Sequence, residues 1–123
     1  MLGGELYDAG KLQQLTNYLN KKGFKLRMDG DDIFPDHVAA AFDGSAREII
    51  LRSNPTKMEV WHELTHFRQF QKLGPQAYMQ QTRTMKEQFV FDFLENSPRR
   101  WGNFTPEQRS SAVDYIYSVG GIR

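Results

Sequence analysis

The chain has 123 residues, 39% of them hydrophobic and 25% charged, and carries a net charge of +1. That length suits one domain with a real core, so a single domain over residues 1–123 is expected. The near-neutral balance gives no electrostatic case for nucleic acid or an anionic membrane as partner, and the lack of cysteine excludes disulfides, thiolate nucleophiles and thiolate metal ligands together.

Met1-Leu2-Gly3-Gly4-Glu5 has neither the basic nor the apolar region of a secretion signal, and no window reaches transmembrane length. From Lys11 to Lys22, Leu12, Leu15, Tyr18 and Leu19 recur at helical spacing, and Gly23 suits a C-cap. This is a first helix. Phe24, Leu26 and Met28 then alternate with Lys25, Arg27 and Asp29, a short strand closed by Gly30-Asp31-Asp32. The aspartates lack the spacing and terminal glutamate of a calcium loop, so they read as a solvated turn. His37 to Phe42 and Arg47 to Arg52 flank Asp43-Gly44-Ser45, a hairpin signal. In the second of these strands Ile49 and Leu51 share one face, with Glu48, Ile50 and Arg52 on the other.

Pro55 and the Thr56-Lys57-Met58-Glu59 capping box open a second helix, whose inward stripe is Val60, Leu64 and Phe67 and whose stop is Gly74-Pro75. A third helix is predicted from about Gln76 to Glu95. Arg99-Arg100-Trp101 reads as solvated surface in a turn. Thr105-Pro106-Glu107-Gln108 supplies cap, N1 proline and box glutamine for a fourth helix, to about Ser118. No repeat or linker interrupts the series. The fold class is therefore α+β, a short antiparallel sheet with its hairpin packed on the second helix, and further helices.

The second helix carries His62-Glu63-Leu64-Thr65-His66, an HExxH pattern. Residues four apart share a helix face, so both imidazoles can converge on one Zn2+ ion. Glu63, on a neighbouring face, can then accept a proton from a water activated by that ion. Such a short pattern also arises by coincidence, and the helix signals around it argue against that reading.

A third protein ligand is needed, and no histidine follows His66. The candidates are Glu87, Asp92 and Glu95 on the third helix, and His37. Glu87 forms a stripe with Val90, Phe91 and Leu94, which puts a charge beside packing surface, and it is the residue expected on the metal. If the chain doubles back at Gly74-Pro75, Glu87 lies about 18 Å beyond the break and His66 about 12 Å before it, at 1.5 Å per residue. Asp92 suits the acid that orients a bound imidazole. Tyr78, Tyr115 and His37 are candidate donors to a developing oxyanion.

From Glu59 through His66, Gly74-Pro75-Gln76-Ala77-Tyr78 and Glu87 to Asp92, and on to the stretch from Trp101 to Tyr115, the chain resembles the zincin-like metallopeptidase toxin domains of bacterial polymorphic toxins. The resemblance implies a small zincin-like domain with gluzincin-like ligation by His62, His66 and Glu87, zinc as cofactor and Glu63 as general base. It also implies a protein or peptide substrate, a cognate immunity protein, and delivery into a target cell as part of a longer secreted chain. A stand-alone protein would instead be cytoplasmic. Two other classes stay open: a small intracellular regulatory metallopeptidase that cleaves a repressor-like partner, and a non-enzymatic binding module.

Overall fold

A computed structural model of the chain describes residues 3–123. Met1 and Leu2, part of the N-terminal stretch read for targeting signals, lie outside them. Among the described residues the elements are α1 (Ala9–Lys21), β1 (Lys25–Arg27), α2 (Gly30–Ile33), β2 (Ala40–Asp43), β3 (Glu48–Leu51), α3 (Lys57–Leu73), α4 (Pro75–Gln80), α5 (Arg83–Glu95), α6 (Pro98–Asn103) and α7 (Pro106–Ser118). This is the α+β class expected. None of these helices is long and apolar enough to cross a membrane.

The sheet has the order β1-β3-β2. β2 and β3 form the expected antiparallel hairpin, with Ala40 opposite Leu51 and Phe42 opposite Ile49. β1, however, pairs with β3 in parallel, Leu26 opposite Ile49. The excursion through α2 and β2 returns the chain to the middle of the sheet, running in its original direction. As the central strand, β3 buries Ile49, Ile50 and Leu51 in succession. The alternation read for Ile50 therefore does not separate a wet face from a dry one. Gly30 in α2 approaches the backbone of Leu51 so closely that a Cβ there would lie 2.8 Å from the Leu51 carbonyl oxygen.

One hydrophobic cluster joins Leu15 and Leu19 of α1, Phe24, Ile49 and Leu51 of the sheet region, and Val60, Phe67 and Phe70 of α3, with Tyr78 of α4. A second joins Val90 and Leu94 of α5 to Phe104, with Met58 and Trp61 of α3 packed against it. α3 therefore contributes to both clusters. Its start is fixed by a reciprocal box, in which Thr56 Oγ1 accepts from the Glu59 amide at 3.2 Å and Glu59 Oε1 accepts from the Thr56 amide at 2.8 Å. The segment before α1 adds to this: Tyr7 N–H donates to Pro55 C=O and Lys57 N–H to Glu5 C=O, each at 2.8 Å.

The single third helix expected from Gln76 to Glu95 is two. Gln81 and Thr82 are extended, and Thr82 restarts the helix by accepting from the Met85 amide at 3.1 Å. The sequence hides this cap because Met85 occupies the position where a box would show Glu or Gln. Arg99, Arg100 and Trp101 lie in α6, a six-residue helix with Pro98 in its first turn, and not in an open turn. The Ser97-Pro98 start is its signal.

Candidate metal centre

His62, Glu63 and His66 occupy consecutive turns of α3, and one ligand atom from each lies within 4.8 Å of the others. α5 crosses this face and brings Glu87 to the imidazoles. Glu87 Oε1 lies 2.7 Å from His66 Nε2 and 3.4 Å from His62 Nε2, closer than any oxygen of Glu63. Val90, Phe91 and Leu94, the stripe that singled out Glu87 in the sequence, are buried with it. The other acids of α5 face elsewhere. Asp92 is exposed and accepts from Gln88 Nε2 at 2.9 Å, while Glu95 pairs with Arg123 at 2.7 Å. Asp92 therefore orients neither imidazole, contrary to the role the sequence suggested. His37 is exposed on the loop before β2, at the wall of the same cleft.

Several features hold these side chains. The His66 ring stacks on Phe42 of β2 with centroids 6.0 Å apart, and the two imidazoles meet edge to face at 5.0 Å. Tyr115 of α7 stands edge-on to His62 at 6.3 Å. Its hydroxyl accepts from Arg83 Nη2 at 3.4 Å, which leaves the phenolic proton for another acceptor. Neither Phe42 nor Arg83 was picked out by motif. Phe42 was legible only as an alternating strand residue, and Arg83 as the position one helical turn before Glu87.

The electrostatics are unusual for a core. Burial pushes the Glu63 carboxyl above the usual range, against the pull of His62 and His66. Burial acts on Glu87 in the same direction, but bonding to the two imidazoles prevails and holds its carboxyl well below that range. For His62, burial disfavours the charged form, yet Glu63 and Glu87 outweigh it and raise its pKa. Two buried carboxylates thus share a site with two imidazoles. Glu87 Oε2 and His66 Nδ1 are buried with no hydrogen-bond partner among the described residues, and no hydrogen bond to Glu63 contributes to its raised carboxyl. An unpaired buried carboxylate oxygen costs free energy, and a divalent cation bound beside Glu87 would relieve that cost; His66 Nδ1, on the far side of its ring from Nε2, would not be satisfied by the same ion. The donor types fit zinc; ligands about 2.0–2.1 Å from a tetrahedral ion sit roughly 3.3 Å apart, close to the 3.4 Å between His62 and Glu87. The 2.7 Å between His66 and Glu87 is a hydrogen-bond distance that a bound ion would have to open.

The group opens onto a cleft of about 1390 Å³. The outer strand β2 forms one wall, α5 and α7 the other, and the histidines of α3 the floor.

A family model described as metallopeptidase toxin 4 matches residues 2–119, nearly the whole chain. The chain belongs to this family. No curated protein and no solved structure matches it. A metallopeptidase toxin domain requires a metal ion, and His62, Glu63 and His66 form a group that can hold one.

Proposed function

We propose that this domain is a zinc-dependent peptidase that acts as a toxin on a protein of a target cell. His62, His66 and Glu87 hold the ion, and Glu63 acts as general base. The observation that carries this reading is the convergence of both Nε2 atoms on Glu87 Oε1 while the Glu63 carboxylate stays buried and unbonded. Two nitrogens and one oxygen, with no thiolate, are the ligand types of catalytic zinc sites that keep a position open.

When bound, zinc supplies a Lewis acid that polarises a carbonyl and lowers the pKa of a water to roughly 7. Glu63 takes a proton from the attacking water as its oxygen bonds to the scissile carbonyl carbon, then returns it to the leaving nitrogen as the C–N bond breaks. Burial raises the Glu63 carboxyl, which favours its taking up the proton in the first step. The free edge of β2 can pair with an extended substrate along the cleft. Delivery within a longer chain, and neutralisation by an immunity protein in the producing cell, follow from the toxin reading.

Stripping the ion with a chelator should abolish hydrolysis of a denatured-protein panel and restore it on adding back zinc. The expression of active protein should arrest bacterial growth. Full hydrolysis by protein shown to be metal-free would overturn the proposal.

Tyr115 is the donor assigned to the developing oxyanion, since it stands against His62 with its proton uncommitted. Tyr78 packs on Phe42 and Phe70, and His37 is on the exposed loop. Tyr115→Phe should lower kcat by about 10²–10³, as for other lost oxyanion donors, with metal content unchanged. A kcat within twofold of wild type would remove Tyr115 from the reaction.

A further inference from the structure

We propose that Arg83 and Lys86 form a cationic subsite that selects substrates with a carboxylate one or two residues from the scissile bond. The inference rests on the peptidase reading and names the substrate class it favours. Both residues line the cleft, on the α5 wall that carries Glu87. Neither forms an ion pair with a carboxylate among the described residues.

Their other contacts leave them available. Arg83 uses one nitrogen on the Tyr115 hydroxyl, so the rest of its five-donor fork can meet a carboxylate. Lys86 Nζ lies 4.6 Å from the centre of the Tyr78 ring, a contact that fixes the stem without neutralising the charge. Arg52, which also lines the cleft, is by contrast committed. It donates to Val38 C=O at 2.8 Å and Pro35 C=O at 2.7 Å, and pairs with Asp31 at 3.4 Å.

Placement points the same way. The cleft also carries Asp36, Asp43 and Glu59, so what distinguishes Arg83 and Lys86 is position: they are the cations on the helix that bears Glu87, and neither is ion-paired among the described residues. Arg83 precedes Glu87 by one helical turn, about 6 Å along the axis, and Lys86 directly adjoins Glu87. An extended peptide advances about 3.3 Å per residue, so the cations reach a group one or two residues from the reacting carbonyl. An acidic side chain and a free C-terminal carboxylate share this chemistry.

The test compares kcat/KM of the metal-loaded protein on matched peptides. Glu is scanned on both sides of the cleaved bond against Gln, and each peptide is made with a free and an amidated C-terminus. The expected result is a preference of about tenfold or more for Glu over Gln at one position, or for the free over the amidated terminus, carried in KM and weakened by salt. Which arm responds identifies the source of the carboxylate. Arg83→Glu/Lys86→Glu should reverse the ratio towards Lys-containing peptides at unchanged metal content, and Lys86→Gln alone should reduce it. Hydrolysis with equal rates on Glu and Gln peptides and on both termini overturns the subsite and leaves the peptidase reading intact. Metal-loaded protein that cleaves no peptide overturns both.

Discussion

Glu63→Gln is expected to bind zinc at wild-type stoichiometry and to hydrolyse peptides about 10²–10⁴ times more slowly, the range for a lost general base. The amide keeps the size of the side chain but cannot accept the proton of the attacking water. The same change should leave the metal-free fold as stable as wild type or more so. Glu63 is a buried carboxylate without a hydrogen-bond partner, and a neutral amide is cheaper to bury. Stability and activity should therefore move apart, which separates a chemical role from a structural one. In bacteria the variant should relieve growth arrest. Turnover within tenfold of wild type at full metal content would take Glu63 out of the mechanism.

Glu87→Ala should behave in the opposite manner, losing metal and stability together. The change removes one of three proposed ligands, so zinc affinity should fall by more than the roughly 10–100-fold typical of a lost supporting partner. It also breaks the contacts of Glu87 with His62 and His66, of which His66 is buried with it. Losing these buried contacts should lower the stability of the metal-free protein, which chemical denaturation would read. Glu87→Gln keeps the volume and guards against simple misfolding; it too should bind zinc weakly. Glu95→Ala is the control, because Glu95 pairs with Arg123, away from the imidazoles. Such exposed pairs contribute at most about 1 kcal/mol. The reverse ranking of Glu87 and Glu95 in metal affinity would show that another residue completes the site.

Much of this site was legible because it is written in local signals. The Thr56–Glu59 box sets where α3 begins, and the four-residue spacing of His62 and His66 then fixes their shared face. Glu87 was singled out by a different rule, a charge on the apolar stripe of a helix, and the structure buries it on that stripe. The route to it was not legible. The distance count assumed one helix doubling back from Gly74-Pro75, whereas Gln81 and Thr82 break the path and α5 sets out afresh. The parallel pairing of β1 escaped for a related reason. Alternation shows which residues of a strand share a face, but nothing in Lys25-Leu26-Arg27 states which neighbour it will join. Arg83 and Phe42 act through tertiary contacts, on Tyr115 and His66, that no spacing within their own elements encodes.

The placement of β2 has one further consequence. An unpaired strand edge invites other strands, including those of identical molecules, and proteins normally blunt or cover it. Here β2 is the outer strand, and its residues look into a cleft whose opposite wall is α5 and α7. Under the proposed peptidase reading, a target that adds to this edge must present its backbone as a single extended strand, so cutting would be confined to segments that are already slack or can be drawn out. Vulnerability of a victim protein would follow local unfolding as much as the residues flanking the cut.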